Sequence, residues 1–221
     1  MIHLNELVRG RIVADIQGVI FDCDGVLVES RGANVFFYNW FRKQFGLGPM
    51  TPEDEWYTHI SHVSDSLRRI IPADRLDEAW AMRKRFDYRQ VLPHMRRMPH
   101  LLDVLDWLRA RGIRMGINTS RTNTLDMVLE YMGLDDYFFP AVASMSVATP
   151  KPHPEGVNRI LRSWGLRRDQ VVYIGDSGTD EHTAHNAGVR FWSFQNESLH
   201  AQALVPDFQT MLCCLRANYG Y

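Results

Sequence analysis

Short apolar runs alternate with helix-period stretches in two separated parts of this chain. The first run, Gly18-Val19-Ile20-Phe21, ends in Asp22-Cys23-Asp24-Gly25. A second, Ile113-Arg114-Met115-Gly116-Ile117, ends in Asn118-Thr119-Ser120, and a third, Val171-Val172-Tyr173-Ile174, ends in Gly175-Asp176-Ser177. Phe191-Trp192-Ser193-Phe194 is the last strand candidate. Between these runs apolar residues recur every three to four positions: Leu101, Leu105 and Leu108; Leu125, Val128, Leu129 and Met132; Val157, Ile160, Leu161 and Trp164. Each set stops at a glycine placed as a C-cap, Gly112, Gly133 and Gly165. Strands alternating with helices of about ten to fifteen residues predict βαβ units. The fold class expected is therefore α/β, a Rossmann-like parallel sheet with helices on both faces.

Residues 30–98 break that pattern. The stretch is helix-period throughout, with Val35, Phe36, Trp40 and Phe41 on one stripe and Leu76, Ala79, Trp80 and Arg83 on another. Pro49, Pro52, Pro72, Pro93 and Pro99 punctuate it. The expected organisation is a core made of residues 1–29 and 99–221, with a small all-helical domain inserted after the first strand over residues 30–98. The insert holds 12 Lys and Arg against 8 Asp and Glu, which leaves the remainder of the chain at −5. A basic insert over an acidic core suits a lid on an anionic substrate; scattered surface charge is the plainer alternative.

Composition narrows the function classes. With 221 residues, 45% hydrophobic and 23% charged, the chain has the make-up of a soluble globular protein and not of a disordered or fibrous one. A formal charge of −1 offers no electrostatic footprint for nucleic acid or for an anionic membrane. Three cysteines, Cys23, Cys213 and Cys214, make no disulfide framework and point to a reducing, cytoplasmic setting. Residues 1–13 carry Asn, Glu and Arg where a secretory signal would be apolar, and no run approaches the roughly eighteen apolar residues of a membrane span.

Ligands of an open parallel sheet bind at the carboxyl ends of its strands. Three of the predicted strands end there in polar clusters. Asp22 and Asp24 alternate around Cys23, and two like charges so close need a cation or a shared proton; alone, the pair reads more readily as a capping or turn motif. Asp176 and Asp180 add carboxylates at another strand mouth, so that four acids are expected on one rim. Oxygen ligands without nitrogen or sulfur select Mg²⁺ rather than zinc. Lys151, followed by Pro152 and Pro154, sits on a stiff loop, and Thr119 and Ser120 offer hydroxyls and N–H groups near a helix start, which suits a phosphate.

The ordered set D-C-D-G-V-L-V-E-S, N-T-S-R, K-P-H-P and G-D-S-G-T-D resembles the haloacid dehalogenase superfamily, and within it the phosphoglycolate phosphatase and β-phosphoglucomutase-like branch with a helical cap. The likeness runs from about Gly18 to Phe208. It implies a Mg²⁺-dependent phosphoric monoester hydrolase acting on a small phosphorylated metabolite. Asp22 would be the nucleophile, forming an aspartyl-phosphate, and Asp24 the general acid–base. Mg²⁺ would be bound by Asp22, the Asp24 main-chain carbonyl and Asp176, with Asp180 a further or partial ligand. Thr119, Ser120 and Lys151 would bind phosphate, Lys151 also steadying Asp22. Two departures stand out: Glu29-Ser30 replaces the branch's usual Asp-Ser, and Asn118 fits some family spacings of the second motif in place of Thr119. Asp24 argues against dehalogenation, since dehalogenases lack that second aspartate.

Other groups read as structure. His182 and His185, three apart on a helix from about Thr179, are expected on a solvated face; His59, His62 and Asp65, and the pairs Arg68-Arg69 and Arg96-Arg97, are read likewise, and Phe36, Phe37, Tyr38, Trp40 and Phe41 as the insert's core. Phosphoryl transfer within a sugar phosphate is the alternative activity, and a non-catalytic phosphate-binding protein the third.

Overall fold

The computed structural model describes residues 2–3, 15–61 and 63–219. His62, and all of residues 1–13 except Ile2 and His3, lie outside these. The chain divides into two compact units, one formed by Met1–Val28 with Arg97–Tyr221 and the other by Glu29–Arg96.

In the first unit the organising strand is β2 (Gly18–Phe21), buried along its whole length. A strand buried on both faces needs apolar residues at consecutive positions, and Val19-Ile20-Phe21 supplies them. β2 lies between β5 (Arg114–Asn118) and β7 (Val171–Gly175), both parallel to it, with Ile20 opposite Gly116 and Tyr173. Beyond β7 come β8 (Arg190–Phe194), β9 (Ala203–Val205) and β1 (Ile2–His3); beyond β5 comes β6 (Ala141–Val142). The order β1-β9-β8-β7-β2-β5-β6 makes a seven-stranded sheet in which the recorded pairings are parallel. The four apolar runs of the sequence are thus β2, β5, β7 and β8. β1, β6 and β9 are two or three residues long, too short to show an apolar run of their own.

Helices cover the sheet on both faces. α5 (Leu101–Ala110) packs with α9 (Phe208–Tyr219), and α7 (Glu155–Trp164) with α8 (Gly178–Ala187). Val157, Ile160, Leu161 and Trp164 of α7 and Ala184 and Ala187 of α8 bury against Ile20, Val171, Tyr173 and Phe191. Strand side chains alternate between faces, so Val19, Phe21, Val172 and Ile174 face the other layer. α6 (Leu125–Met132) and α7 end at Gly133 and Gly165 in the left-handed conformation. The exposed Cys213 and the buried Cys214 both belong to α9. Among the described residues no helix is long and apolar enough to cross a membrane.

The second unit holds α1 (Arg31–Gln44), α2 (Pro52–Ile60), α3 (Val63–Ile70) and α4 (Leu76–Arg85). Its core is Tyr38, Phe41, Phe45, Met50, Leu67, Ile70, Ile71 and Ala79. Tyr38 and Phe41 of α1 are buried in this core, and Val35, Phe37 and Trp40 pack against it, so the expected stripe and aromatic core hold except at Phe36. Phe36 instead stacks on His94, ring centroids 4.1 Å apart. Val28–Glu29 (β3) and Arg96–Arg97 (β4) pair as a two-stranded sheet, a feature the helical periodicity did not announce.

Candidate active site

Three strand ends and one loop bring the predicted residues together. Asp22 follows β2 directly, and its main-chain N–H donates to the Ile174 carbonyl at 2.9 Å, fixing it beside the end of β7. Asp176 is the first residue after β7. Asp180 stands in the first turn of α8, where Ser177 and Asp180 form a capping box: the Ser177 hydroxyl accepts from the Asp180 N–H, and Asp180 Oδ2 accepts from the Ser177 N–H. Carboxylate oxygens of Asp22, Asp176 and Asp180 lie within 4.8 Å of one another. Lys151 Nζ donates to Asp22 Oδ1 at 2.9 Å and to Asp180 Oδ1 at 2.7 Å.

Behind them sits Tyr173, fully buried on β7. Its hydroxyl lies 2.8 Å from the Asn118 carbonyl and 3.0 Å from Asp180 Oδ1, and accepts from Lys151 Nζ at 3.4 Å. Asp180 Oδ2 also accepts from the Ser177 hydroxyl at 2.6 Å. Both oxygens of Asp180 are thus engaged by donors, and what this carboxylate visibly holds is Lys151.

Three carboxylates against one ammonium leave this buried cluster at −2 when all are ionised. The consequence is visible in each group. Burial pushes the Asp22 carboxyl up to about 7 against the opposing pull of Lys151, with Asp180 adding to the rise. Burial, followed by the charges of Asp22 and Asp180, pushes Asp176 up to about 8. Burial alone would depress Lys151, but Asp22, Tyr173 and Asp180 outweigh it and hold the amine protonated. Burial likewise pushes the Cys23 thiol well up, so it stands beside the site as an unreactive group.

Asp24 is placed differently from the expectation of four converging acids. Its carboxylate is not part of the cluster; it is paired with Arg121, Nη2 to Oδ1 at 2.5 Å. Arg121 is itself 8% exposed, its N–H donates to Thr119 Oγ1, and its carbonyl accepts from Ser144. The cation that relieves Asp24 is a side chain of the second motif. Thr119 is buried at the end of β5, and its N–H donates to the Val142 carbonyl. Ser120 is exposed and precedes the start of α6, at Leu125, by five positions. Asn118 is buried, with its Nδ2 making no hydrogen bond.

The donor set suits a hard divalent cation. It consists of carboxylate oxygens alone, with Lys151 its net charge reaches −2 once all three are ionised, and the chain keeps space free in front of Asp176: at Gly25, φ +78°, a Cβ would run into the Asp176 carboxylate. Among the described residues His182 and His185 do not join this cluster, and both are exposed.

The sequence pattern of the haloacid dehalogenase-like hydrolases matches residues 19–194. The chain belongs to that family. Among curated relatives, a phosphoglycolate phosphatase of Rhodobacter capsulatus is 30% identical over 181 residues, covering 78% of this chain and 81% of its own. That of Escherichia coli (strain K12) is 27% identical over 202 residues, covering 79% of each. Among solved structures, a superfamily hydrolase of subfamily IA from Geobacter sulfurreducens superposes with a TM-score of 0.83 at 30% identity, covering 91% of this chain and 97% of its own.

As a member of this family the chain is a hydrolase. Two members of its polar network carried no assigned role in the sequence reading. Arg121 was legible only as the last letter of N-T-S-R, and its partner lies 97 positions away. Tyr173 reads as an ordinary apolar strand residue, because alternation says which face it takes and not what its hydroxyl meets. Of the arginine pairs, Arg68 meets Asp65 at 3.0 Å and Arg69 meets Glu53 and Asp54 within the second unit, while Arg97, which belongs to the first, donates to the Met132 carbonyl at 2.7 Å.

Proposed function

We propose that the chain is a Mg²⁺-dependent phosphatase, phosphoglycolate phosphatase-like, that hydrolyses a small phosphorylated metabolite through an aspartyl-phosphate on Asp22. The observation that carries this reading is Asp22 itself: buried at the end of the central strand, 2.9 Å from Lys151 Nζ, and within 4.8 Å of Asp176 and Asp180.

In the proposed reaction an Asp22 carboxylate oxygen attacks phosphorus and the bond to the ester oxygen breaks. Asp24 gives its proton to the departing alkoxide, then takes one from water as that water attacks the aspartyl-phosphate; phosphate leaves and Asp22 is regenerated. Lys151 holds Asp22 and a phosphoryl oxygen in register, and Thr119 and Ser120 supply donors to the other oxygens. Mg²⁺, held by Asp22, the Asp24 main-chain carbonyl and Asp176, would neutralise the phosphoryl oxygens and keep Asp22 ionised. Asp180 serves by fixing Lys151. The helical unit is read as the branch's cap, the part of the chain that selects the substrate.

The test is phosphate release from p-nitrophenyl phosphate and from a panel of phosphorylated metabolites with Mg²⁺, comparing wild type with Asp22→Asn. Turnover by the wild type and its loss in the variant supports the reading. An Asp22→Asn enzyme of full activity defeats it, and isomerised sugar phosphate without released phosphate replaces it with the mutase activity.

A further inference from the structure

β7 has a second end. Its carboxyl end carries Asp176 and the acidic rim; at its amino end, about 15 Å away along a five-residue strand, the molecule is cationic. There the C-termini of α7 and α8, the turn Arg167–Gln170 and the first residue of β8 enclose a cleft. Leu161, Leu166 and Val189 form its apolar floor. Four arginines, Arg162, Arg167, Arg168 and Arg190, stand around it against one carboxylate, Asp169.

The helix ends explain only part of this. Arg168 caps α8, donating to the Ala187 carbonyl, and also donates to Asn158 Oδ1 at 2.9 Å. Arg167 pairs with the Asp169 carboxylate at 2.9 Å, and Arg190 Nη2 donates to the Asp169 carbonyl at 2.8 Å. The guanidinium of Arg162 makes no hydrogen bond or ion pair among the described residues. Four guanidiniums and one carboxylate leave the cleft at +3, on a chain whose total is −1. Gln202 closes the floor: its Oε1 accepts from the Phe191 N–H, which leaves its NH₂ group free to donate.

Guanidinium groups pair bidentately with phosphate oxygens, and guanidinium planes and aliphatic floors accept flat rings. We propose that this cleft binds a small polyphosphate carrying a flat apolar ring, of the nucleoside di- or triphosphate class. The site is distinct from the acidic rim, which requires a cation before it attracts an anion.

Calorimetric titration with ATP, pyrophosphate and adenosine, in EDTA so that the rim stays cation-free, tests it. The wild type should bind ATP, with pyrophosphate and adenosine each at least about tenfold weaker, since each offers one half of the ligand. Arg162→Glu with Arg167→Glu should weaken ATP by at least about tenfold while p-nitrophenyl phosphate turnover and the melting temperature stay as in the wild type. Photolabelling of the wild type by 8-azido-ATP, which depends on no variant folding, should mark peptides within residues 158–169 or 188–202. Absence of ATP binding, equal binding by the double variant, or labelling confined to other peptides overturns the proposal.

Discussion

The guanidinium of Arg121 reaches back across 97 residues to hold the carboxylate of Asp24 at 2.5 Å. Arg121 is anchored through its own main chain to Thr119 and Ser144, so the pair ties the first motif to the second. Arg121→Ala should leave Asp24 without a fixed orientation and lower kcat by about ten- to a hundredfold, with KM changed less than threefold. Steady-state kinetics on p-nitrophenyl phosphate measures both; Arg121→Lys should recover part of the loss, because it restores charge but not the planar fork.

Lys151 is the only cation in contact with Asp22 and Asp180 among the described residues. Lys151→Met removes it and leaves two buried carboxylates facing each other. Breaking a buried pair in this way costs about 3–5 kcal/mol. The cost should be larger at pH 8 than at pH 6: Lys151 holds the Asp22 carboxyl down against burial, so without it Asp22 keeps its proton to higher pH, and the variant loses most where the wild-type group, at about 7, is ionised and paired. Urea denaturation at the two pH values in EDTA checks this; equal losses at both would show that Asp22 is not the residue left uncompensated.

The raised carboxyls also set how the metal-free protein responds to pH. Asp22 and Asp176 titrate near 3.8 in the unfolded chain and at about 7 and 8 when folded. Between those values the folded state holds protons that the unfolded chain has released, so their contribution to stability is largest below pH 4 and is lost as pH rises towards 8. Lys151 stays protonated throughout this window. The melting temperature in EDTA should therefore carry a downward component from pH 5 to pH 8. Mg²⁺, which competes with those protons, should raise the melting temperature more at pH 8 than at pH 5. An equal Mg²⁺ effect at the two values would place its binding elsewhere.

Gly25 and Gly112 form a matched pair. Both have positive φ, +78° and +67°, but a Cβ at Gly25 meets the Asp176 carboxylate whereas at Gly112 it meets nothing within 4 Å. Gly112→Ala should cost about 1 kcal/mol of stability and leave the Mg²⁺-induced rise in melting temperature intact. Gly25→Ala should cost more and also shrink that rise, because Asp176 has to move. Thermal melts with and without Mg²⁺ separate the two effects.

How much of this was legible in the sequence follows from the range over which each signal acts. β2, β5, β7 and β8 were readable because a strand buried on both faces must be apolar at consecutive positions, and the helix ends because a left-handed residue there is most easily a glycine. β6 and β9 were not, since a two- or three-residue strand gains its pairing from a neighbour and not from a pattern of its own. In the site, Asp22 and Asp176 could be gathered because each directly follows a strand, Asp180 because it lies four positions past Asp176 at a helix start, and Lys151 because prolines stiffen its loop. The Asp24–Arg121 pair and the Tyr173 hydroxyl could not, because their partners are set by which strands become neighbours, a property of the sheet order alone. On α1 the expected stripe holds at Phe41, which is buried, and at Val35 and Trp40, which pack against it, whereas Phe36 stacks on His94, a partner that helical period alone cannot show.

The position of β2 in the sheet has a further consequence for how the protein is made. Its two neighbours are β5 and β7, whose first residues are Arg114 and Val171. As the chain leaves the ribosome, the strand that carries Asp22 waits through the synthesis of an entire helical unit for its first partner and of most of the remaining chain for its second. That apolar strand can close into the sheet on both sides only after residues 171–175 have been made, so its burial is a late, non-local event in folding.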